Sequence, residues 1–355
     1  MPLTFDSLSA IHAAPFDSLI DVRSPAEYAE DHIPGAISLP VLSDAERARV
    51  GTIYTQQSAF RARKIGAALV ARNAAKHIEG PLADHDGGWR PLVYCWRGGQ
   101  RSGSFASILA QIGWRAETVA GGYRTYRRLV VRAMHEAPLP HRLVLLDGNT
   151  GTAKTELLGL LAARGVQVVD LEGLAAHRGS LFGAVARAQP SQKAFEGALA
   201  AAFDSLDTAR PVVVEAESSK VGEVLVPPSV WAAMRDAPRV RVAAPLPARA
   251  RYLARAYADV TADPALLAGT LAALTPYHGR AQVAAWQGLA AAGDHVALAG
   301  ELMAAHYDPR YAKARERLDV RYLAELKSRD LGADDLQRLA DRVAAVLGRA
   351  FAEVA

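Results

Sequence analysis

The sequence predicts two successive α/β domains, each built on a parallel sheet, followed by an α-helical C-terminal extension. A short apolar run, Leu92 to Tyr94, leads through a glycine-bearing loop into a helical pattern. A second strand–loop–helix passage of the same kind begins at residue 142. Beyond about residue 249 only helical patterns follow. At 355 residues, half of them hydrophobic, the chain is long and apolar enough for two or three ordinary cores. The expected layout is a first domain over 1–135, a linker over 136–141, a second domain over 142–248 and a helical region over 249–355.

Composition narrows the function classes. Cys95 is the only cysteine, which excludes an intrachain disulfide and a metal site of several thiolates. Met1 to Phe5 lacks the basic start and apolar core of a signal peptide, and no apolar run reaches membrane-spanning length. A cytoplasmic protein is therefore expected. The net charge of +4 permits nucleic-acid binding without requiring it.

Residues 19–23 read as a strand running into Ser24-Pro25, a helix start with proline at the first helical position. The turn at His32-Ile33-Pro34-Gly35 leads to another short strand. Residues 41–90 contain Arg61, Arg63 and Lys64, which read as a solvated helix face or, alternatively, as a patch for RNA phosphates.

The strand Leu92 to Tyr94 ends on Cys95, and Trp96, Arg97, Gly98, Gly99, Gln100 and Arg101 follow as an anion loop. Positive φ is expected at both glycines, so that backbone N–H groups converge on one bowl. A helix from about Ser104 places its positive end there. The helix end, Arg97 and Arg101 should lower the thiol pKa, and the thiolate is the nucleophilic form. A buried, inert cysteine is the bland reading. Two arginines and two glycines within six residues argue against it. Cys95, Arg97 and Arg101 are the expected catalytic set.

After the linker, a strand over 142–147 meets Gly148-Asn149-Thr150-Gly151-Thr152-Ala153-Lys154-Thr155. This is a P-loop pattern with Ala153 where the last glycine belongs. Its amides should cradle a diphosphate, with Gly148, Thr150, Gly151, Thr152, Ala153 and Lys154 around it and Mg²⁺ on the Thr155 hydroxyl. Further strands are expected over 166–172, 211–218 and 239–243. Glu215 or Glu217 either serves as the second carboxylate beside Mg²⁺ or caps the next turn. His306 to Tyr311 reads as a break between helices, an Asp-Pro turn.

The run from Asp21 to Pro40, the Cys95 loop and Val119-Ala120-Gly121-Gly122-Tyr123 together resemble a rhodanese domain over roughly 5–135. With the P-loop and the motifs HRGSLFG (177–183), VEAESSKVG (214–222) and HYDPRY (306–311), the chain from about 5 to 312 resembles the bacterial tRNA 2-selenouridine synthase family. The resemblance implies a rhodanese-like parallel α/β domain, then a P-loop NTPase-like α/β domain with an α-helical C-terminal extension. It implies exchange of sulfur for selenium in wobble 2-thiouridine, with selenophosphate as donor and the tRNA anticodon region as partner. An S-geranylated intermediate made from geranyl diphosphate is implied too, as are substrate contacts at His177, Arg178 and Ser180. Two other classes remain. Cys95 and Arg101 have the spacing of a cysteine-dependent phosphatase, against which stand Tyr94 and the lack of a leaving-group acid in the loop. A P-loop kinase with an accessory rhodanese module is the other, and Ala153 argues against it.

Overall fold

The computed structural model describes residues 2–316 and 320–352. The chain forms two compact units, one from the residues up to Ala137 together with Pro190–Ser205, the other from Pro138–Gln189 and everything from Leu206 on.

The first unit carries a four-stranded parallel sheet in the order β2-β1-β3-β4, with β1 Ser18–Asp21, β2 Ile37–Ser38, β3 Pro91–Tyr94 and β4 Glu117–Thr118. Every residue of β3 is buried, the continuous apolar run of a strand covered on both faces. Register Asp21↔Tyr94 brings the ends of β1 and β3 level, so the chain leaves both at one edge. Ile20, Val22, Val93, Phe105, Leu109 and Trp114 centre the core. Residues 41–90 hold two helices, Asp44–Gln56 and Ala59–Glu79, capped by Ser43 and Ser58 respectively.

Helix Gln192–Asp204 belongs to this unit although its sequence lies within the stretch expected as the second domain. Phe195, Leu199 and Phe203 are buried, and Glu196 pairs with Arg127 of helix Tyr123–Val131. Ser191 caps the helix by accepting the Ala194 N–H.

The second unit has a five-stranded, all-parallel sheet in the order β11-β10-β5-β7-β6: β5 Leu143–Gly148, β6 Gln167–Val169, β7 Val212–Glu215, β10 Arg239–Ala243 and β11 Tyr322–Lys327. A small antiparallel ribbon, β8 Lys220–Val221 with β9 Val224–Leu225, stands beside it. The fully buried β5 is central; its neighbour β7 is buried on both faces, while β10 buries Val240 and Val242 on one face only. Helices Lys154–Ala162 and Ala333–Ala352 share one core through Leu157, Leu161, Leu336, Leu339 and Val343.

The region from 249 onward is not helical throughout. Strand β11 pairs in parallel with β10, Val242↔Leu326 among its contacts. Its sequence Tyr-Leu-Ala-Glu-Leu-Lys is rich in good helix formers, and only Leu326 is fully buried. An edge strand of that composition gives no alternation to read; pairing with β10 decides its form. The expected break at 306–311 is also absent. A π-turn over Met303–Tyr307 runs without interruption into helix Asp308–Glu316, and the wider turn accommodates Pro309, which has no N–H to give the turn before it.

Candidate functional site

In the first unit Cys95 lies just beyond β3, and helix Gln100–Ile112 starts directly after the loop. Of the two glycines, Gly98 alone has positive φ, at 63°; Gly99 is the helix N-cap, with φ −104°. Gly98 is required for contact as well. A Cβ there would stand 2.5 Å from the Val119 carbonyl, and one on Gly122 would stand 2.2 Å from the Cys95 carbonyl. The Gly121-Gly122-Tyr123 turn thus braces the loop from behind, with Tyr123 N–H donating to the Cys95 carbonyl at 2.8 Å.

The Cys95 thiol is buried and accepts the Ser102 hydroxyl at 3.2 Å. Burial disfavours its charge, yet the Ser102 hydroxyl and amide, the Arg101 guanidinium and the Gly99 amide outweigh burial and bring the thiol below its usual value. Arg101 donates to Glu27 at 2.8 and 3.4 Å, and Arg47 meets the same carboxylate at 3.0 Å. These two arginines, Glu27, Trp96, Arg97, Gly99 and Gln100 surround an open pocket of about 480 Å³ at Cys95. Arg97 is exposed. Beneath them Arg23 is almost wholly buried, paired with Asp21 at 2.6 Å and lying 4.0 Å from the Tyr123 ring centre.

In the second unit the P-loop joins β5 to helix Lys154–Ala162. Ala153 adopts φ 62°, ψ 31°, the left-handed conformation a glycine would take freely, and its methyl packs in the buried core. The alanine therefore keeps the loop's form at a steric cost of about 1–2 kcal/mol. Lys154 Nζ donates to the Gly148 carbonyl at 3.2 Å. Burial opposes its charge, but Tyr311, Glu217, Glu172 and Asp147 outweigh it and the ammonium is held more firmly than usual.

Thr155 donates to Glu172 at 3.0 Å, and the Glu172 N–H donates to Glu215 at 2.8 Å. Glu215 is buried behind Glu172, while Glu217 lines the cavity beside Lys154 and Thr155. Burial and the neighbouring Glu172 push Glu217 up to about 8. One hydroxyl and two crowded carboxylates, all oxygen donors, fit a hard divalent cation completed by phosphate oxygens.

The cavity measures about 860 Å³ and is also lined by His177, Arg178 and Ser180. Arg178 forms a two-pronged pair with Asp259 at 3.0 Å, while its Nη1 is buried without a hydrogen-bond partner among the described residues. Burial lowers the His177 pKa, so its ring favours the neutral form. Next to the cavity is an apolar recess of about 60 Å³, lined by Phe182, Leu253, Val260, Leu267, Leu298 and Leu302. Thr150, Ser180, Tyr257 and Tyr307 line both spaces.

Asp308 of the 306–311 motif takes Arg249 at 2.7 and 2.9 Å and accepts Asn149 Nδ2 at 2.9 Å, while Arg249 donates to the Thr150 carbonyl at 3.1 Å. This clamp holds the P-loop from outside. Glu27, Arg47, Glu172, Arg249 and Asp308 are site residues that the sequence reading did not nominate. Glu27 has only the spacing of a helix-capping glutamate after Ser24, Asp308 sits in the 306–311 motif read as a turn, and nothing local marks Arg47, Glu172 and Arg249.

A family model for the rhodanese-like domain matches residues 4–129, and one for the tRNA 2-selenouridine synthase AAA domain matches residues 141–282. The tRNA 2-selenouridine synthase of Nitrosomonas europaea is 36% identical over 251 residues, covering 69% of this chain and 64% of the relative. That of Hahella chejuensis is 39% identical over 251 residues, covering 67% and 63%. That of Bdellovibrio bacteriovorus is 34% identical over 243 residues, covering 65% and 62%. The chain thus spans a little under two thirds of the length of these relatives.

Proposed function

We propose that this chain, which matches the models of the rhodanese-like domain and of the tRNA 2-selenouridine synthase AAA domain, belongs to the tRNA 2-selenouridine synthase family and is a tRNA-modifying enzyme exchanging the sulfur of wobble 2-thiouridine for selenium in two steps. The observation that carries the reading is the apolar recess beside the P-loop cavity. A nucleotide has no apolar chain to put there; geranyl diphosphate has. At about 60 Å³, the room of a few waters, the recess takes the end of such a chain while the rest lies in the larger cavity. Each buried methylene contributes about 0.8 kcal/mol.

In the first step the thiouridine sulfur attacks C1 of geranyl diphosphate, the C1–O bond breaks, diphosphate departs with the electron pair and the N3 proton is lost to water. Lys154 and the loop amides stabilise the charge that develops on it. A Mg²⁺ held by Thr155 with Glu172 or Glu217 would supply further charge neutralisation to the leaving group.

In the second step selenophosphate is held at the Cys95 loop by Arg97, Arg47 and the first-turn amides. Its selenium attacks C2 as the Cys95 thiolate takes the proton the donor carries and passes it to the departing geranyl thiolate; water then takes the phosphoryl group as phosphate and its proton returns to N3, leaving the selenocarbonyl. Alkylation has by then turned a poor leaving group into a good one.

The test is mass spectrometry of nucleosides from tRNA incubated with geranyl diphosphate and selenophosphate. Lys154→Ala should lose S-geranyl-2-thiouridine, while Cys95→Ser should accumulate it and form no 2-selenouridine. Geranylation lost in folded, tRNA-bound Cys95→Ser would refute the division of labour. Wild-type protein that makes neither nucleoside but hydrolyses ATP or an aryl phosphate would refute the function.

A further inference from the structure

Helices Asp44–Gln56 and Ala59–Glu79 form a hairpin whose carboxylates, Asp44, Glu46 and Glu79, all lie at the end away from the turn. Residues 47–78 carry Arg47, Arg49, Arg61, Arg63, Lys64, Arg72 and Lys76 and no aspartate or glutamate. All seven are exposed. Glu27 takes Arg47 and Glu46 faces Lys76, but no carboxylate pairs with Arg49, Arg61, Arg63, Lys64 or Arg72 among the described residues. An ordinary solvated helix face mixes signs; this one repels itself and calls for an anionic partner.

The turn between the helices adds what a polyphosphate alone would not need. Tyr54 is 59% exposed and Phe60, on the other side of the turn, 72% exposed. Two bare rings among unpaired cations cost solvation and contribute nothing to the core. Such rings suit planar bases, since every base has a face to stack, and the cations suit the phosphates between them. Paired helical RNA hides its bases, so the fit is to an unpaired segment.

We propose that Tyr54 and Phe60 are a stacking platform for unpaired RNA bases, with Arg61, Arg63 and Lys64 holding the adjoining phosphates. The site rests on the tRNA reading above and adds where the loop is gripped. Position supports it. The helix that ends beside Tyr54 begins near Arg47, which lines the Cys95 pocket. The seven-residue step from Arg47 to Tyr54 rises about 10 Å, the length of about three stacked nucleotides. A base held on the platform therefore lies a few nucleotides from one presented to Cys95.

The experiment uses the full chain and two fluorescein-labelled probes, an anticodon stem-loop RNA containing 2-thiouridine and a fully paired RNA duplex of equal length. Tyr54→Ala and Phe60→Ala should each weaken stem-loop binding about tenfold and leave duplex binding unchanged. Arg61→Gln with Lys64→Gln should weaken both and flatten the salt dependence by about 0.7 per lost phosphate contact. Both rings are exposed, so unfolding midpoints should stay at the wild-type value. Wild-type binding left intact by both aromatic variants overturns the platform alone, as does an equal loss on duplex. A change confined to self-association makes the hairpin a protein interface and also overturns it. Wild-type protein that binds neither probe overturns the tRNA reading and the platform with it.

Discussion

Ser102 acts on the Cys95 thiol twice, through its hydroxyl and through its amide, before Arg101 contributes from a position it shares with Glu27. Ser102→Ala is therefore expected to raise the thiol pKa and slow alkylation by iodoacetamide at pH 7 severalfold, with Arg101→Ala having the smaller effect. The reverse order would mean that the guanidinium dominates. Around the P-loop, Glu217 titrates near 8 in the folded protein and near 4.5 in the unfolded chain. The folded state keeps a proton that the unfolded state gives up. Stability from this group is complete below about pH 4.5 and is lost as pH rises through about 8, by up to a few kcal/mol. Urea unfolding at pH 6 and pH 9 should show that loss in wild type and a weaker one in Glu217→Gln. Cys95 and Lys154 could be picked out in the sequence because glycine, arginine and strand patterns surround them. Glu172 draws its role from Thr155 and Glu215, partners distant in the sequence, which no local pattern records.

At the scale of elements, the two strand–loop–helix passages were legible because each couples a buried apolar strand to a glycine loop. Strand β11 was not, since its edge position leaves most of its side chains partly or fully exposed and its composition suits a helix. The helical 306–311 motif was misread for another reason: an Asp-Pro pair ends some helices and begins others, and only the Arg249–Asp308 clamp shows which. That clamp ties helices Leu246–Ala256 and Asp308–Glu316 to the P-loop. Arg249→Met should destabilise the second unit by about 2 kcal/mol, below the roughly 3–5 kcal/mol of a fully buried pair because Asp308 is a quarter exposed. It should also weaken diphosphate binding by freeing Thr150 and Asn149. Chemical denaturation followed by titration with inorganic diphosphate measures both, and a variant that loses neither would make the clamp incidental.

Over the whole molecule, the two units are interleaved along the chain, because residues 190–205 complete the first unit from within the second. A fragment ending at Ala137 lacks helix Gln192–Asp204, with its buried Phe195, Leu199 and Phe203 and the Glu196 partner of Arg127. Such a fragment should bind a hydrophobic dye and unfold without a sharp transition, whereas adding the 190–205 segment through a flexible linker should restore cooperativity. A sharp transition in the short fragment would show the helix to be dispensable. The interleaving also sets a timetable for synthesis. A nascent first unit cannot close when Ala137 leaves the ribosome; it waits for some 68 more residues, among them β5, the P-loop and β6. At about 5–20 residues per second that is a pause of roughly several seconds. Throughout it the apolar surface meant for one late helix stands open, and a chaperone has its natural moment to bind.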